Sequence, residues 1–347
     1  MLLFCLDELD FGVQNFQNVI DNVLSTQWEK SIMLDHYTAI VKKERPPHYF
    51  TTRATLVKAD LNDTLENLWS AHEKREEGNT SLLDVKIEIA NRIYAHCEFC
   101  ERRCGVNRPS QIGNCKVQEP RVASEFAHLG EESVLVPSHT IFFTGCNFHC
   151  IYCQNWDISQ IITGKYIPPR QLAKIIEVKH LRNANFVGGD PTPNLNYILE
   201  VLRECNAPIP IVWNSNMYLT EESMRLLDGV VDLYLTDFRY GNNTCAEELS
   251  DVKNYFEVVS RNHLLAEKNA DVIIRHLVIP DHVECCTYPI LKWISENLKK
   301  CVVNVMFQYR PEYKAMDNPR IDRYLTYEEQ KRALEIAEEF NIPLLRK

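Results

Sequence analysis

Six short apolar segments alternate with six helical patterns from His139 to the end of the chain, and this order limits the possible folds more than any other feature. The segments are rich in β-branched and aromatic residues: HTIFFTG (139–145), ANFVGG (184–189), PIPIVWNS (208–215), VVDLYLTD (230–237), DVIIRHLVIP (271–280) and VVNVMFQY (302–309). Continuous apolar strands separated by helices are typical of a parallel sheet that helices cover. No G-x-G-x-x-G sequence follows any segment. We therefore predict an α/β fold, an incomplete parallel (β/α)6 barrel, rather than a dinucleotide-binding sheet.

The regions that precede this pattern differ from it. Residues 1–82 are predicted to form a mostly helical N-terminal extension, because FGVQNFQNVIDNVL and ADLNDTLENLWSAHEKREEGN have helical spacing. A loop or short strand is expected between them, in ERPPHYFTTRATLV. Residues 83–135 are a cysteine-rich segment, entered through the amphipathic pattern SLLDVKIEIANRIYAH (81–96), and residues 136–347 hold the barrel.

Net charge and cysteine content restrict the partners and the compartment. The formal charge of −10 over 347 residues argues against binding driven by attraction to nucleic acid or to a membrane surface. The start MLLFCLDELDF lacks the cationic lead of a signal peptide, and no stretch approaches the roughly 20 apolar residues that cross a bilayer. We expect a cytoplasmic protein, in which thirteen cysteines stay reduced and serve metal or redox chemistry.

Three of these cysteines lie within eight residues at the end of the first predicted strand. FTGCNFHCIYCQN places Cys146, Cys150 and Cys153 with gaps of three and two residues. Three unconnected buried thiols are the plainest explanation, since free cysteine packs as a small hydrophobe. A structural zinc ion takes four ligands, whereas this loop offers three cysteines and His149 between them. An iron–sulfur cluster on three cysteines would keep one iron open to another ligand, and we favour this interpretation.

The C-x3-C-x2-C spacing, with Tyr152 before the last cysteine, resembles the cluster loop of the radical S-adenosylmethionine (radical SAM) enzymes. The resemblance implies that Cys146, Cys150 and Cys153 hold a 4Fe-4S cluster whose fourth iron binds S-adenosyl-L-methionine. It also implies that an electron from the cluster cleaves this cofactor to methionine and a 5′-deoxyadenosyl radical, with a ferredoxin or flavodoxin as electron donor. From Cys97 onward the chain is similar to pyruvate formate-lyase activating enzyme and its uncharacterised paralogues.

The ends of the other predicted strands resemble cofactor-binding segments of the same family. Gly188-Gly189-Asp190-Pro191 is similar to a G-G-E-P turn, with aspartate in place of the usual glutamate. The third, fourth and fifth strand ends resemble T-N-G, D-x-K and R-x-V-V-x-P-G segments. By this resemblance the cofactor contacts are Tyr152, Gly188, Gly189, Asp190, Asn214, Ser215, Asp237, Arg239, Arg275 and His276. A plain ion pair between Asp237 and Arg239, and a core position for His276, stay open as alternatives.

A second group of cysteines precedes the barrel in HCEFCERRCGVNRPSQIGNC. Cys97, Cys100, Cys104 and Cys115 are separated by two, three and ten residues, a spacing that suits a complete four-thiolate site. Such a site holds either a structural zinc ion or a second iron–sulfur cluster. Both remain open, as does a group of four thiols without a metal.

The loop after the last predicted strand, FQYRPEYKAMDNPRIDRY (307–324), combines aromatic residues with arginines, as protein interfaces do. A solvated surface loop would also explain this composition. We expect Tyr309, Arg310 and Tyr313 to contact a protein or peptide substrate that enters through the gap of the incomplete barrel. The resemblance thus implies a radical SAM enzyme that abstracts hydrogen from a polypeptide. The alternative is a non-catalytic iron–sulfur or zinc protein that acts as a scaffold or redox sensor.

Overall fold

A computed structural model describes residues 34–345 of the chain. Its strands are β1 (Leu56–Val57), β2 (Thr80–Ser81), β3 (Val122–His128), β4 (Ser138–Phe143), β5 (Ala184–Gly188), β6 (Ile211–Ser215), β7 (Leu233–Asp237), β8 (Asp271–Leu277) and β9 (Cys301–Met306). The short β1 and β2 pair with each other, and β3 to β9 form one sheet in chain order. Within that sheet β4 to β9 are parallel, and β3 runs antiparallel to β4 at one edge.

Helices precede the sheet and connect its parallel strands. They are α1 (Asp35–Val41), α2 (His48–Ala54), α3 (Leu65–Lys74), α4 (Leu82–Ala95), α5 (Trp156–Ser159), α6 (Pro169–Lys179), α7 (Leu195–Glu204), α8 (Glu221–Leu227), α9 (Asn243–Ser250), α10 (Tyr255–Asn269), α11 (Tyr288–Asn297) and α12 (Tyr327–Glu339). Short 3-10 turns occupy Thr192–Asn194 and Ala315–Asp317, and a single π-helical turn occupies Val283–Thr287.

The six parallel strands and the helices between them confirm the predicted incomplete barrel. Strand β6 is buried at all five of its residues, as expected for a strand covered on both faces. The edge strands β3 and β9 do not pair with each other within the described chain, so the sheet stays open. The sequence did not predict β3, whose exposure alternates along VASEFAH because only one side of this edge strand faces the core.

One predicted element differs from the structure, and one long connection is divided into two helices. The segment ERPPHYFTTRATLV was expected to be a loop or short strand, but it contains α2 and then β1. Pro47 is the N-cap of α2, and proline is tolerated there because the first N–H groups of a helix need no partner within it. The long connection between β7 and β8 forms two helices, because the chain breaks between α9 and α10, where Asp251 and Asn254 both have positive φ.

The N-terminal helices attach to the lower end of the barrel, where the parallel strands begin. Asp232, fully buried just before β7, accepts hydrogen bonds from the His36 imidazole and the His48 backbone N–H, both at 2.8 Å. Its other oxygen accepts from the Ile211 N–H at the start of β6, also at 2.8 Å. The Tyr37 N–H donates to Asp271 at 2.7 Å. These two carboxylates therefore bind α1 and α2 to the first residues of three strands.

The loop 129–137 enters the barrel from the same end. It joins the end of β3 to the start of β4, and its Leu135 packs with Leu34 and Tyr37 against inward-facing residues of the parallel strands. The adjacent Glu131 and Glu132 then reach the interior above this apolar layer. The lower part of the barrel is thus filled by side chains, and the open space lies towards the C-terminal ends of the strands.

The predicted helix FGVQNFQNVIDNVL lies outside the described residues. Within residues 34–345, no helix combines the length and the apolar character that crossing a bilayer requires.

Candidate active site

The C-terminal ends of the parallel strands surround a cavity of about 700 Å³. The loop after β4 contributes Cys146, Cys150 and Cys153 to its wall, which we call the triad. The other residues that the sequence suggested as cofactor contacts also line this cavity, with the exception of His276. Segments that are far apart in the chain therefore meet around one space, at the end of the barrel where such folds carry their chemistry.

Cys150 accepts hydrogen bonds from two side chains that the sequence did not connect with it. The Ser250 hydroxyl donates to Cys150 Sγ at 2.9 Å, and Arg239 Nη1 donates to the same sulfur at 3.3 Å. Ser250 in turn accepts from the Tyr240 hydroxyl, which lies 2.6 Å from the Tyr152 hydroxyl. A buried chain of three hydroxyl groups thus ends on this sulfur and stabilises negative charge there.

The other two sulfurs also have donors nearby. The Phe148 backbone N–H donates to Cys146 Sγ at 3.3 Å, and the Ser159 hydroxyl lies 3.1 Å from Cys153 Sγ. Asn216 lies beside Cys146 and donates its side-chain N–H to the Asn147 side chain at 2.7 Å. This bond links the end of β6 to the triad loop. Each sulfur of the triad therefore has a polar group within hydrogen-bond distance, while burial raises the pKa of the Cys146 and Cys153 thiols.

The triad has the donor chemistry of an iron–sulfur cluster with three protein ligands. Among residues 34–345, two groups of three possible ligands have their ligand atoms within 4.8 Å of one another, and neither contains a triad cysteine. The three triad sulfurs are therefore spaced more widely than the ligands of a single metal ion, and they lie around the cavity. Hydrogen bonds to cluster sulfurs tune iron–sulfur sites, and all three positions have them.

A network of charged side chains joins the ends of β6, β7 and β8 beside the triad. Arg239 Nη2 donates to Asp237 Oδ2 at 2.6 Å, and Arg275 Nε donates to Asp237 Oδ1 at 3.2 Å. Arg275 also donates to the Asn214 side chain and lies 3.6 Å from Glu131. Burial opposes ionisation of Asp237, but the two guanidinium groups outweigh it and hold the pKa of this carboxyl below its usual value. Asp237 therefore stays ionised and orients both arginines.

The turn after β5 is shaped by neighbouring backbone and by its own carboxylate. Gly188 has φ +125°, and a Cβ at Gly188 or Gly189 would collide with carbonyl oxygens at the end of β4. The two glycines are thus required by the close approach of β4 and β5, in addition to lining the cavity. Asp190 accepts from the Thr192 N–H at 2.9 Å and from the Asn216 N–H at 3.0 Å, so it ties the turn to the end of β6.

Comparison with known proteins identifies the family. The model of the radical SAM superfamily matches residues 140–294, which include the triad and the strand-end network. An uncharacterised protein of Methanocaldococcus jannaschii is 52% identical over 335 residues, covering 90% of this chain and 99% of that protein. The pyruvate formate-lyase 1-activating enzyme of Escherichia coli strain K12 is 28% identical over 149 residues, covering 40% of this chain and 60% of that enzyme.

The chain belongs to the radical SAM superfamily. This membership implies a 4Fe-4S cluster and S-adenosylmethionine, the cofactors whose ligand chemistry the triad fits. The crystal structure of methylornithine synthase aligns over 87% of this chain and 76% of its own, with a TM-score of 0.42 and 12% identity. The upstream cysteines and β9 lie outside the matched residues 140–294.

His276 does not reach the cavity of this radical SAM domain. Its Nδ1–H donates to the Phe238 carbonyl at 2.7 Å, and its Nε2 lies 2.8 Å from the Thr287 hydroxyl. Successive side chains of a strand point to opposite faces of the sheet. Because Arg275 faces the cavity, its neighbour His276 faces the helices outside the barrel. His276 is therefore a hydrogen-bonded core residue and not the cofactor contact that was expected. Burial lowers the pKa of its imidazole to about 4.

Several polar residues of the cavity wall escaped the sequence reasoning, among them two glutamates and an asparagine that lie close together. Glu131 and Glu132 enter from the loop 129–137, and Asn304 belongs to β9. Asn304 donates to one oxygen of Glu132 at 2.9 Å, while the other oxygen is buried without a hydrogen-bond partner in the described chain. Glu131, Glu132 and Asn304 do not belong to a recognisable sequence motif. No local pattern in the sequence indicates that the loop 129–137 folds into the barrel.

The upstream cysteines lie against the radical SAM domain on the side of the triad loop. Arg102, between two of them, donates to the Asn147 carbonyl at 2.5 Å, one residue after Cys146. The fully buried Arg108 donates to Cys97 Sγ at 3.4 Å. A metal at Cys97, Cys100, Cys104 and Cys115 remains a prediction, with zinc and a second cluster both open.

The loop 307–324 is only partly available to a partner. Tyr309 is 2% exposed and donates its hydroxyl to the Ile321 carbonyl at 2.7 Å, so it is a core residue and not the docking contact that was expected. Arg310 is exposed and pairs with Glu312 at 3.1 Å. Tyr313 is 36% exposed and stacks on Trp156, with ring centroids 5.6 Å apart, three residues after Cys153. The loop therefore presents Arg310 and Tyr313 next to the triad loop.

Proposed function

We propose that this protein is a radical SAM enzyme that abstracts a hydrogen atom from a protein or peptide substrate. The observation that carries the proposal is that the triad and the network around Asp237 line the same cavity. A protein that only binds metal as a scaffold needs the triad but has no use for a second set of ligand-binding side chains beside it.

The triad would hold the cluster, and the strand-end network would hold S-adenosylmethionine. When bound, the cluster and S-adenosylmethionine would supply the chemistry of reductive cleavage, which generates a hydrogen-abstracting radical. The electron would come from a carrier such as ferredoxin or flavodoxin. Arg239 and Arg275 supply guanidinium groups suited to the carboxylate of the cofactor, since a guanidinium binds a carboxylate through two parallel hydrogen bonds. Asp237 keeps both in position from between them.

The enclosing residues protect the reaction from water. Loop 129–137 closes the lower end of the cavity, and the Leu135 layer beneath it is fully buried. A substrate group would therefore enter from the C-terminal end of the barrel. Inside the cavity the substrate group would contact Glu132. The carboxylate oxygen of Glu132 that has no partner in the described chain can accept a hydrogen bond from a donor on the substrate.

Two features support a polypeptide as the substrate. Arg310 and Tyr313, next to the triad loop, combine a cation with an aromatic ring, a composition that is enriched in protein interfaces. The Escherichia coli relative with 28% identity is named for the activation of another enzyme. A residue on an exposed loop of a partner would have access to the cavity without unfolding of this chain.

The first test asks whether the protein cleaves its cofactor. The chain is reconstituted anaerobically with iron and sulfide, reduced with dithionite, and supplied with S-adenosylmethionine. We expect 5′-deoxyadenosine, and none from a variant in which Cys146, Cys150 and Cys153 are all alanine. An intact cluster that yields no 5′-deoxyadenosine would favour the scaffold or redox-sensing function.

A second test addresses the substrate class. Extract from host cells grown in deuterated medium is separated by size into a protein fraction and a small-molecule fraction, and each is incubated with the reduced enzyme. We expect deuterium in the 5′-deoxyadenosine only with the protein fraction, because the abstracted atom comes from the substrate. Transfer from the small-molecule fraction alone would contradict a polypeptide substrate while leaving the radical chemistry in place.

A further inference from the structure

A third group of cysteines, separate from the triad and from the upstream segment, lies where the loop after β7 meets the loop after β8. Cys245, His282 and Cys285 have their ligand atoms within 4.8 Å of one another. Cys245 and His282 are buried, and Cys285 is partly buried. Cys245 and Cys285 are 40 positions apart in the chain, so no local spacing indicated the group.

The distance between the two sulfurs suits a shared metal ion. Cys245 Sγ and Cys285 Sγ lie 3.8 Å apart. Two zinc–sulfur bonds of about 2.3 Å at a tetrahedral angle place their sulfurs about 3.8 Å apart. A disulfide would require a separation of about 2.0 Å, so the two thiols are not bonded to each other.

The imidazole of His282 is oriented as a zinc ligand. Its Nδ1–H donates to the Pro280 carbonyl at 2.6 Å, which leaves the lone pair on Nε2. Nε2 is buried and has no hydrogen-bond partner within the described chain. A histidine that binds a metal through one nitrogen usually donates the other N–H to a carbonyl or carboxylate, which fixes its tautomer. The unpaired Nε2 is thus an atom that a metal ion would satisfy.

Neighbouring groups hold the ligands together. The Asn242 side chain donates to Cys245 Sγ at 3.3 Å and to the Cys285 carbonyl at 2.9 Å, and accepts from the Cys245 N–H at 2.8 Å. A Cβ on Gly241 would lie 2.7 Å from the Cys285 carbonyl oxygen, so glycine permits the loops to approach this closely. The π-helical turn also contains Cys286, which follows Cys285 in the chain and is 1% exposed.

We propose that Cys245, His282 and Cys285 bind one zinc ion. Two thiolates and one imidazole are typical zinc ligands, and they leave the fourth tetrahedral position to water or another group. The ion would join the first turn of α9 to the π-helical turn and so connect the loops that follow β7 and β8. The proposal of a zinc site does not rest on the proposed catalytic function.

The site has a structural consequence for the triad loop. Helix α9 begins near Cys245 and ends at Ser250, whose hydroxyl donates to Cys150 Sγ. The Leu249 carbonyl accepts from the Ile151 N–H at 2.9 Å, and the Ser250 carbonyl accepts from the His149 N–H at 3.1 Å. A zinc ion at one end of this short helix would therefore stabilise the backbone that supports the triad at the other end.

The test is metal analysis of the full-length protein, reconstituted anaerobically with iron, sulfide and Zn²⁺. Zinc and iron are measured per chain in the wild type, in a Cys245→Ser/Cys285→Ser double variant, and in a matched control, Cys301→Ser, which removes a buried thiol of β9. We expect the double variant to lose one zinc per chain and the control to lose none, with iron unchanged in both. Equal zinc in all three proteins, or a loss of iron in place of zinc, would overturn the proposal.

Zinc X-ray absorption gives a second measurement, which also serves if the double variant does not fold. The wild type should show both sulfur neighbours at about 2.3 Å and nitrogen at about 2.0–2.1 Å. His282→Gln should remove the nitrogen contribution while circular dichroism confirms a folded chain. An all-sulfur environment in the wild type, or an unchanged nitrogen contribution in His282→Gln, would contradict the site. So would a Cys245–Cys285 disulfide found by mass spectrometry after anaerobic alkylation.

Discussion

Arg239 donates from Nη1 to Cys150 Sγ at 3.3 Å, so one guanidinium connects the triad directly to the charged network at the strand ends. Its other terminal nitrogen donates to Asp237 at 2.6 Å. A single side chain thereby contacts both a proposed cluster ligand and the proposed binding site of the cofactor carboxylate. Changes at Arg239 should consequently affect cofactor binding more than cluster assembly, because the triad sulfurs keep their other donors.

Arg239→Ala should weaken S-adenosylmethionine binding without changing the iron content. Loss of a charge-assisted contact costs about 1.5–3 kcal/mol, or roughly a tenfold to more than hundredfold loss in affinity. Titration of the cluster's electron paramagnetic resonance signal with S-adenosylmethionine measures the effect. Arg92→Ala, which removes an exposed ion pair on α4, serves as the control. An unchanged midpoint for Arg239→Ala would leave Arg239 as a structural ion pair only.

Alanine at Cys146, Cys150 or Cys153 should abolish formation of 5′-deoxyadenosine, because each would be one of only three protein ligands. Alanine at Cys97 or Cys104 should preserve it if the upstream group is structural and the chain still folds. Iron content and 5′-deoxyadenosine yield are measured on all variants, with the buried Cys205→Ala as control. Retained cleavage in a triad variant would show that the cluster is held elsewhere.

Arg310→Ala/Tyr313→Ala should reduce turnover of the polypeptide substrate and spare cleavage of S-adenosylmethionine without substrate. Tyr309→Phe should act differently, since it removes a buried hydrogen bond to the Ile321 carbonyl and should lower the free energy of unfolding by about 1 kcal/mol. Substrate turnover, uncoupled cleavage and urea denaturation separate the two effects. Normal turnover by the double variant would exclude these residues as docking contacts.

Stability should depend on His263 below neutral pH. Burial lowers its pKa from 6.5 to about 4, and the neutral ring donates to the Val259 carbonyl and lies 2.8 Å from the Thr236 hydroxyl. Because the folded-state pKa is depressed, this stabilisation is complete above the unfolded-state pKa of 6.5 and is lost as the pH falls towards 4.

The expected difference is measured by urea denaturation of the wild type and His263→Gln. From about pH 7.5 to about pH 5.5 the wild type should lose roughly 1 kcal/mol more stability than the variant. His180→Gln, at an exposed position after α6, should retain the pH dependence of the wild type. Parallel curves for the wild type and His263→Gln would show that this imidazole does not titrate in the expected range.

The order of strands and helices and the membership in the radical SAM superfamily were accessible from the sequence. Buried parallel strands require continuous apolar segments, and the helices between them require apolar residues at helical spacing, so both patterns are local. The triad is also local, because three ligands on one loop must be close in the chain. The strand-end positions followed from these, since parallel strands end at the same side of a barrel.

The direction of individual side chains and the meeting of distant loops depended on the folded chain. His276 was expected in the cavity but faces the helices, because the register of β8 gives the inward position to Arg275. Ser250 reaches Cys150 across 100 positions, and Cys245 reaches Cys285 across 40. Such contacts are produced by packing of loops around a common core, and packing is a property of the whole chain that no short spacing contains.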